Sequence, residues 1–197
     1  GVVSLLQPRD ERSVQLTWFG EDSGLNIPIA HDQLSSALLA LAPELGIQRL
    51  HFHHLAGLPA LVLELPNLLG LPFDFTFHDF YAVCPSPTHF ISRDGRYCGR
   101  PDLSECETCV AERPDPWGLG ILDWRATFNN WLSEAERLIF PNHSVEEIVS
   151  EYFPELSGEV WPHPEPSLAA FQAHTEKSLA RKKFCLIGSL SEVKGLN

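Results

Sequence analysis

Residues 73–77 form a short apolar run, Phe73-Asp74-Phe75-Thr76-Phe77. It stops at His78-Asp79 and enters a long stretch holding Cys84, Cys98, Cys106 and Cys109. An apolar run that ends in ionisable residues and then a loop is how an α/β protein builds a site. In open parallel sheets, ligands sit outside the carboxyl ends of the strands. The stretch therefore predicts one strand of such a sheet, a site at its tip and a metal-clipped lid beyond it.

The rest of the chain supplies partners for that strand. Residues 2–7 and 13–19 read as two short strands able to form a hairpin, and 25–30 as a third. Asp32 is a fitting N-cap for a helix whose apolar face is Leu34, Ala37, Leu38, Leu41 and Leu45, ended by Gly46. Residues 47–52 read as a buried strand closing in His51-Phe52-His53-His54, and 58–69 as a helix kinked at Pro66. Helical stretches follow over 117–134, with Trp124, Phe128, Trp131 and Leu132 on one side, and a short strand over 137–140. Ser144-Val145-Glu146-Glu147 is a capping box opening a helix to about Phe153. Residues 160–161 are a last short strand before Pro162-His163-Pro164-Glu165-Pro166, a stiff connector. A polar helix over 167–181 and a strand over 184–188 complete the chain. Strands alternating with helices imply an α/β fold, a Rossmann-like parallel sheet with helices on both faces.

A hydrophobic content of 44% over 197 residues is enough for a substantial core. The net charge of −12 argues against a nucleic-acid surface, which needs clustered Lys and Arg. It leaves room for a small anion at a helix N-terminus. No apolar run reaches the length of a membrane span, and no signal-peptide pattern is visible. Five cysteines, an odd number at modest density, point to a reducing, cytoplasmic compartment.

Several residue groups could carry chemistry. His51 and His53 share a direction along their strand by period 2, while His54 points the other way. His78 suits a cleft wall, and Asp79 suits a turn cap that bonds backbone N–H groups. Adjacent residues rarely touch side chain to side chain, so His78 and Asp79 are not read as a dyad. Asn142 and Ser144 precede a helix N-terminus, a fitting place for an anionic group, although the capping box already accounts for Ser144. The spacing Cys84-x13-Cys98-x7-Cys106-x2-Cys109 would complete a closed four-thiolate zinc site of structural role, with free thiols or two disulfides as the alternatives. Cys185 reads as a buried small residue.

Six short stretches in order resemble one family. They are His51-Phe52-His53-His54-Leu55-Ala56-Gly57-Leu58-Pro59; Thr76-Phe77-His78-Asp79-Phe80-Tyr81 with Cys84-Pro85; and the cysteine pairs around Cys98 and Cys106-Glu107-Thr108-Cys109. Phe140-Pro141-Asn142-His143-Ser144, Val160-Trp161-Pro162-His163-Pro164 and the run from Gly188 to Gly195 complete the set. The resemblance is to bacterial glycosyltransferases of the large group 1 type, and covers most of the chain. It implies two Rossmann-like domains facing a cleft, with the nucleotide-sugar donor on the second and the glycan acceptor on the first. It implies transfer with retention and without a catalytic metal, in surface polysaccharide synthesis. On this reading residues 1–161 are the acceptor-side domain, with a cysteine loop over 80–115. Residues 162–182 are linker and helix, and 183–197 begin the donor-binding domain. The chain is then expected to be an internal piece of a longer protein. The resemblance puts His53 and His78 in catalytic positions, His51, Asp79, Asn142 and Ser144 along the acceptor cleft, and Gly188 and Lys194 at the donor phosphates. Many members carry Arg after that Gly, where this chain has Ser189. A non-catalytic, zinc-stabilised interaction module on the same scaffold is the alternative.

Overall fold

A computed structural model describes residues 3–19, 24–86, 90, 96–113 and 116–162. The readings for residues 163–197, which include Gly188, Lys194, Cys185 and most of the linker, lie outside the described residues.

The chain opens with a three-stranded antiparallel sheet, β1 (Val3–Asp10), β2 (Ser13–Phe19) and β3 (Gly24–Ala30), in that order. Its register pairs Leu6, Leu16 and Ile27 across the three strands, and Pro8, Val14 and Ile29 beside them. Val14, Leu16 and Ile29 are buried on that face, while Gln15, Thr17 and Asn26 hydrogen-bond to one another on the other. Asp32 falls in a 3-10 turn, His31–Gln33, and does not cap α1 (Leu34–Glu44).

The second sheet is parallel, with β4 (Leu50–Phe52), β5 (Phe73–Thr76), β6 (Arg137–Phe140) and β7 (Glu159–Val160) in sequential order. The molecule is thus α/β, a Rossmann-like parallel sheet flanked by helices with an antiparallel sheet added. Between β4 and β5 the chain runs as a 3-10 turn, Ala60–Glu64, and then α2 (Leu65–Leu69). Pro66 stands in the first turn of α2, where its missing N–H costs nothing. Gly70 ends that helix in the left-handed region at φ 63.

Between β5 and β6 lie two helices, α3 (Leu103–Glu112) and α4 (Ile121–Ser133). The cysteine-bearing stretch is therefore not wholly a loop, because Cys106 and Cys109 ride on α3. Asp102 caps α3 by accepting from the Glu105 backbone N–H at 3.1 Å. α5 (His143–Tyr152) also departs from the expected cap. Asn142 accepts from the Val145 N–H at 3.0 Å, so the helix starts before Ser144.

Alternate residues of the parallel strands point to opposite faces. Phe52, Phe73 and Phe75 meet Trp131 of α4, and Phe77 stacks on Phe140 at 4.8 Å. Trp124 and Phe128 are fully buried behind them. The same core continues to Val14, Leu16, Ile29 and Leu34, so the antiparallel sheet and the parallel sheet share one interior.

Candidate functional site

The other face of the parallel strands is polar. Arg49, His51 and His53 stand on the β4 side, and Asp74, Thr76 and His78 on the β5 side. Asp74 lies at mid-strand with its side chain 1% exposed, and a cation flanks it on each side. Arg49 Nη1 donates to Oδ1 at 2.7 Å, and Arg137 Nη2 donates to Oδ2 at 2.6 Å. Arg49 also pairs with Glu136. Burial alone would raise the Asp74 carboxyl, but the Arg137 hydrogen bond and charge, with the Arg49 charge, hold it below the usual range. The two cations keep 39% and 42% of their side-chain surface in water.

Towards the carboxyl ends, side chains from the two strands meet in three successive pairs, each 25 residues apart in sequence. His51 Nε2 lies 2.8 Å from Thr76 Oγ1 and His53 Nδ1 lies 2.7 Å from His78 Nε2, while His54 Nδ1 contacts Asp79 Oδ2. The parallel register aligns Leu50 with Phe73 and His51 with Asp74, so the His51 side chain meets the residue two beyond its backbone partner. The His51 and His53 rings stack at 4.2 Å and those of His53 and His78 at 5.0 Å, so three imidazoles form one column. Partial desolvation first, and then the charges of the neighbouring rings, hold His53 below the ordinary histidine range, although the residue keeps an exposed edge. Burial lowers His51 too; Asp74 opposes this, while Arg137, His78 and Arg49 reinforce it. Both rings therefore favour the neutral form.

A hydrogen-bonded imidazole pair has a useful property. The His53–His78 hydrogen bond uses one nitrogen of each ring, and each ring keeps one further nitrogen for a ligand. Such a pair can give a hydrogen bond to one oxygen of a hydroxylated ligand and accept one from another. Asp79 divides its two oxygens: Oδ1 accepts from the Tyr81 backbone N–H at 2.8 Å and Oδ2 meets His54. Asp79 is thus the turn cap expected of it, and it also meets His54. His54 reaches the site because the strand ends at Phe52, after which the period-2 alternation no longer applies.

Asn142 and Ser144 follow β6, the neighbour of β5 in the sheet. The Asn142 side chain is spent on its cap, and Glu146 and Glu147 occupy the first turns of α5, with His143 Nδ1 3.0 Å from Glu146. A carboxylate already answers the positive end of that helix. A depression of about 530 Å3 runs along α5 between His143, Glu146, Glu147 and Glu151, and no residue of the histidine column lines it. It is shallow and acidic, and the histidine column carries the better-defined chemistry.

Cys84, Cys98, Cys106 and Cys109 are half-buried and carry no disulfide. Burial pushes the Cys84 thiol up. Among the described residues, no three His, Cys, Asp or Glu side chains stand close enough to hold a metal ion. No helix among the described residues is long and apolar enough to cross a membrane.

Sequence reasoning misses Asp74 with its two arginines, and Thr76 as the partner of His51. The signal for Asp74 is a lone carboxylate at the centre of an apolar run, which can be buried only if cations reach it. Compared with models of known families, with curated proteins and with solved structures, the chain has no match.

Proposed function

We propose that this chain is the acceptor-side domain of a retaining glycosyltransferase, which moves a sugar from a nucleotide-sugar donor to a glycan acceptor. What supports the reading is the column His51, His53 and His78 at the carboxyl ends of two adjacent parallel strands, where open α/β sheets receive ligands. Imidazole nitrogens there suit the orientation of sugar hydroxyls near the anomeric carbon. In a front-face substitution the acceptor hydroxyl oxygen bonds to the anomeric carbon on the side from which the nucleotide diphosphate departs. The hydroxyl proton leaves with the phosphate oxygen. His53 and His78 hold the reacting groups, His51 and Asp79 support them, and Gly188 and Lys194 meet the donor phosphates. The setting is cytoplasmic synthesis of bacterial surface polysaccharide. The alternative reading, a non-catalytic zinc-stabilised module, draws on the four half-buried cysteines.

The test is a chain extended at both ends and assayed for transfer from a panel of nucleotide sugars. Transfer is expected, with His53→Ala and His78→Ala each lowering it by about 100-fold. Activity untouched by both substitutions would sink the site assignment. No transfer from any donor by the extended chain would sink the glycosyltransferase reading.

A further inference from the structure

A second kind of side-chain pair stands at the strand tips, His54 after β4 and Asp79 after β5. Asp79 is anchored to the core through Tyr81. Its Oδ1 accepts from the Tyr81 backbone N–H at 2.8 Å, and the Tyr81 carbonyl accepts from Trp124 Nε1 at 2.8 Å. Tyr81 is buried, and its ring packs edge-on against that of Trp124 at 5.0 Å. His54 is followed by the buried Leu55, whose carbonyl accepts from the Leu58 N–H at 3.0 Å. The His54 ring lies 6.3 Å from the Tyr81 ring, and its Nδ1 meets Asp79 Oδ2. Nδ1 is the engaged nitrogen of His54 among the described residues, and the side chain keeps 52% of its surface in water.

A carboxylate only accepts. The contact therefore puts the ring hydrogen of neutral His54 on Nδ1 and leaves a lone pair on Nε2, directed away from Asp79. A carboxylate that fixes an imidazole in one tautomer is also what orients the histidine of a Ser-His-Asp triad. The neighbouring His53–His78 hydrogen bond has no such fixed sense, because either ring nitrogen can donate. His143 and Glu146 form a similar pair on α5 at 3.0 Å, but His143 is 81% exposed and both partners ride on one helical turn. An exposed pair of that sort holds its geometry weakly. At His54 the anchored Asp79 sets the hydrogen-bond sense. Nε2 can take a hydrogen bond from a hydroxyl. It offers no donor to an ether, carbonyl or phosphate oxygen, and the Asp79 charge behind it repels an anion.

We propose that His54, held in one tautomer by Asp79, is the subsite for a hydroxyl of the sugar acceptor, with Nε2 accepting a hydrogen bond from that hydroxyl. Asp79 is a positioning residue that acts through His54. No covalent step is assigned to either side chain, and the bound hydroxyl keeps its proton. The subsite separates acceptor from donor, since it admits a hydroxyl and turns away the pyrophosphate of a nucleotide sugar. The choice of a sugar as ligand rests on the glycosyltransferase reading, whereas the fixed tautomer does not.

The test has two arms. The first uses the whole chain with isotope-labelled histidine at about pH 8, above the ordinary histidine range. Long-range proton–nitrogen spectra are expected to show His54 with its hydrogen on Nδ1, and His143 as an averaged mixture of tautomers. In Asp79→Asn the amide oxygen can keep the Tyr81 cap while the amide N–H group donates to Nδ1, so the hydrogen should move to Nε2. The methyl glycosides of glucose, galactose and mannose are then added one at a time. At least one is expected to shift the His54 Nε2 resonance, and inorganic phosphate is expected to leave it in place. A His54 that averages as His143 does overturns the subsite, as does an unchanged tautomer in Asp79→Asn. A response to phosphate, or none to all three glycosides, overturns it too. The second arm uses the chain extended at both ends, with the same methyl glycosides as acceptors. His54→Ala should raise the acceptor KM about 10-fold, and His54→Gln, whose amide oxygen reaches the Nε2 position, should recover most of that. An unchanged acceptor KM overturns the subsite and leaves the transferase reading standing. No transfer from any donor, with the tautomer and glycoside responses as expected, overturns the transferase reading and leaves His54 as a hydroxyl site.

Discussion

The two faces of the parallel sheet are written on the same few residues and do opposite things. On β5 the odd positions Phe73 and Phe75 go into the aromatic core against Trp131, while the even positions Asp74 and Thr76 meet Arg49, Arg137 and His51. The apolar face gains stability from contact area and close packing, and a change of volume there is felt at once. The polar face is held by charge and hydrogen-bond geometry, and its own contribution declines towards the strand tips as the side chains meet water. A strand buried on one face and half-wet on the other can thus keep its stability at mid-strand and its chemistry at the end.

The first consequence concerns Trp131, which is 6% exposed and touches Phe52, Phe73 and Phe75 at once. Trp131→Ala should cost about 3–5 kcal/mol, read from the urea midpoint at constant slope. A loss below about 1 kcal/mol would mean that the apolar face does not carry the fold. Asp74→Asn comes next. Removing one member of a fully buried ion pair typically costs about 3–5 kcal/mol, but here the stranded arginines can turn to solvent, so about 2–3 kcal/mol is expected. The double variant Asp74→Asn with Arg137→Gln should recover part of that loss in the same titration, and a purely additive result would show that the pair is not coupled.

How far each face can be read from sequence follows from the range of its interactions. The strand expected over residues 73–77 is local and is found as Phe73–Thr76, and the His51 and His53 rings lie together as expected, although His53 stands one residue past the end of β4. The His53–His78 pairing needs the register of two strands, as does the link from Asp74 to Arg49 and Arg137, which lie 25 and 63 residues away. No spacing rule reaches that far. The sequence reading misses α3 because the cysteines point to a metal loop, although Asp102-Leu103-Ser104-Glu105 carries its own capping-box signal. At α5 two nearby cap candidates compete. Asn142 wins because the extended backbone after Pro141, at φ −164 and ψ 166, turns its carbonyl side chain onto the Val145 N–H. Gly188 and Lys194 lie beyond the described residues.

A smaller effect separates the two faces by pH. His51 and His53 are held below the ordinary histidine range, so the folded chain binds fewer protons than the unfolded chain just below the unfolded value of about 6.5. Their contribution to stability is complete above about pH 6.5 and is lost as pH falls through their depressed folded-state values. Asp74 stays ionised through that window, since its own pKa is lowered. Thermal unfolding between about pH 7.5 and pH 5 should show the midpoint fall, and His51→Asn should flatten the slope. A parent chain with a flat profile would remove the case for neutral rings.

The smallest effect on stability belongs to the strand tips. His53 and His78 share a 2.7 Å hydrogen bond, but both rings are exposed, and water replaces the lost partner when either is removed. His53→Ala and His78→Ala should therefore each shift stability by no more than about 0.5 kcal/mol, against several-fold more for Trp131→Ala. The contrast is the informative quantity. A histidine pair that costs nothing to delete is not there for the fold, and its place at two parallel strand ends is then left to be explained by a ligand. If either substitution costs as much as Asp74→Asn, the column is a structural continuation of the Asp74 network. The hydrogen-bonded tips would then be no different in kind from mid-strand, and the ligand reading would lose its basis.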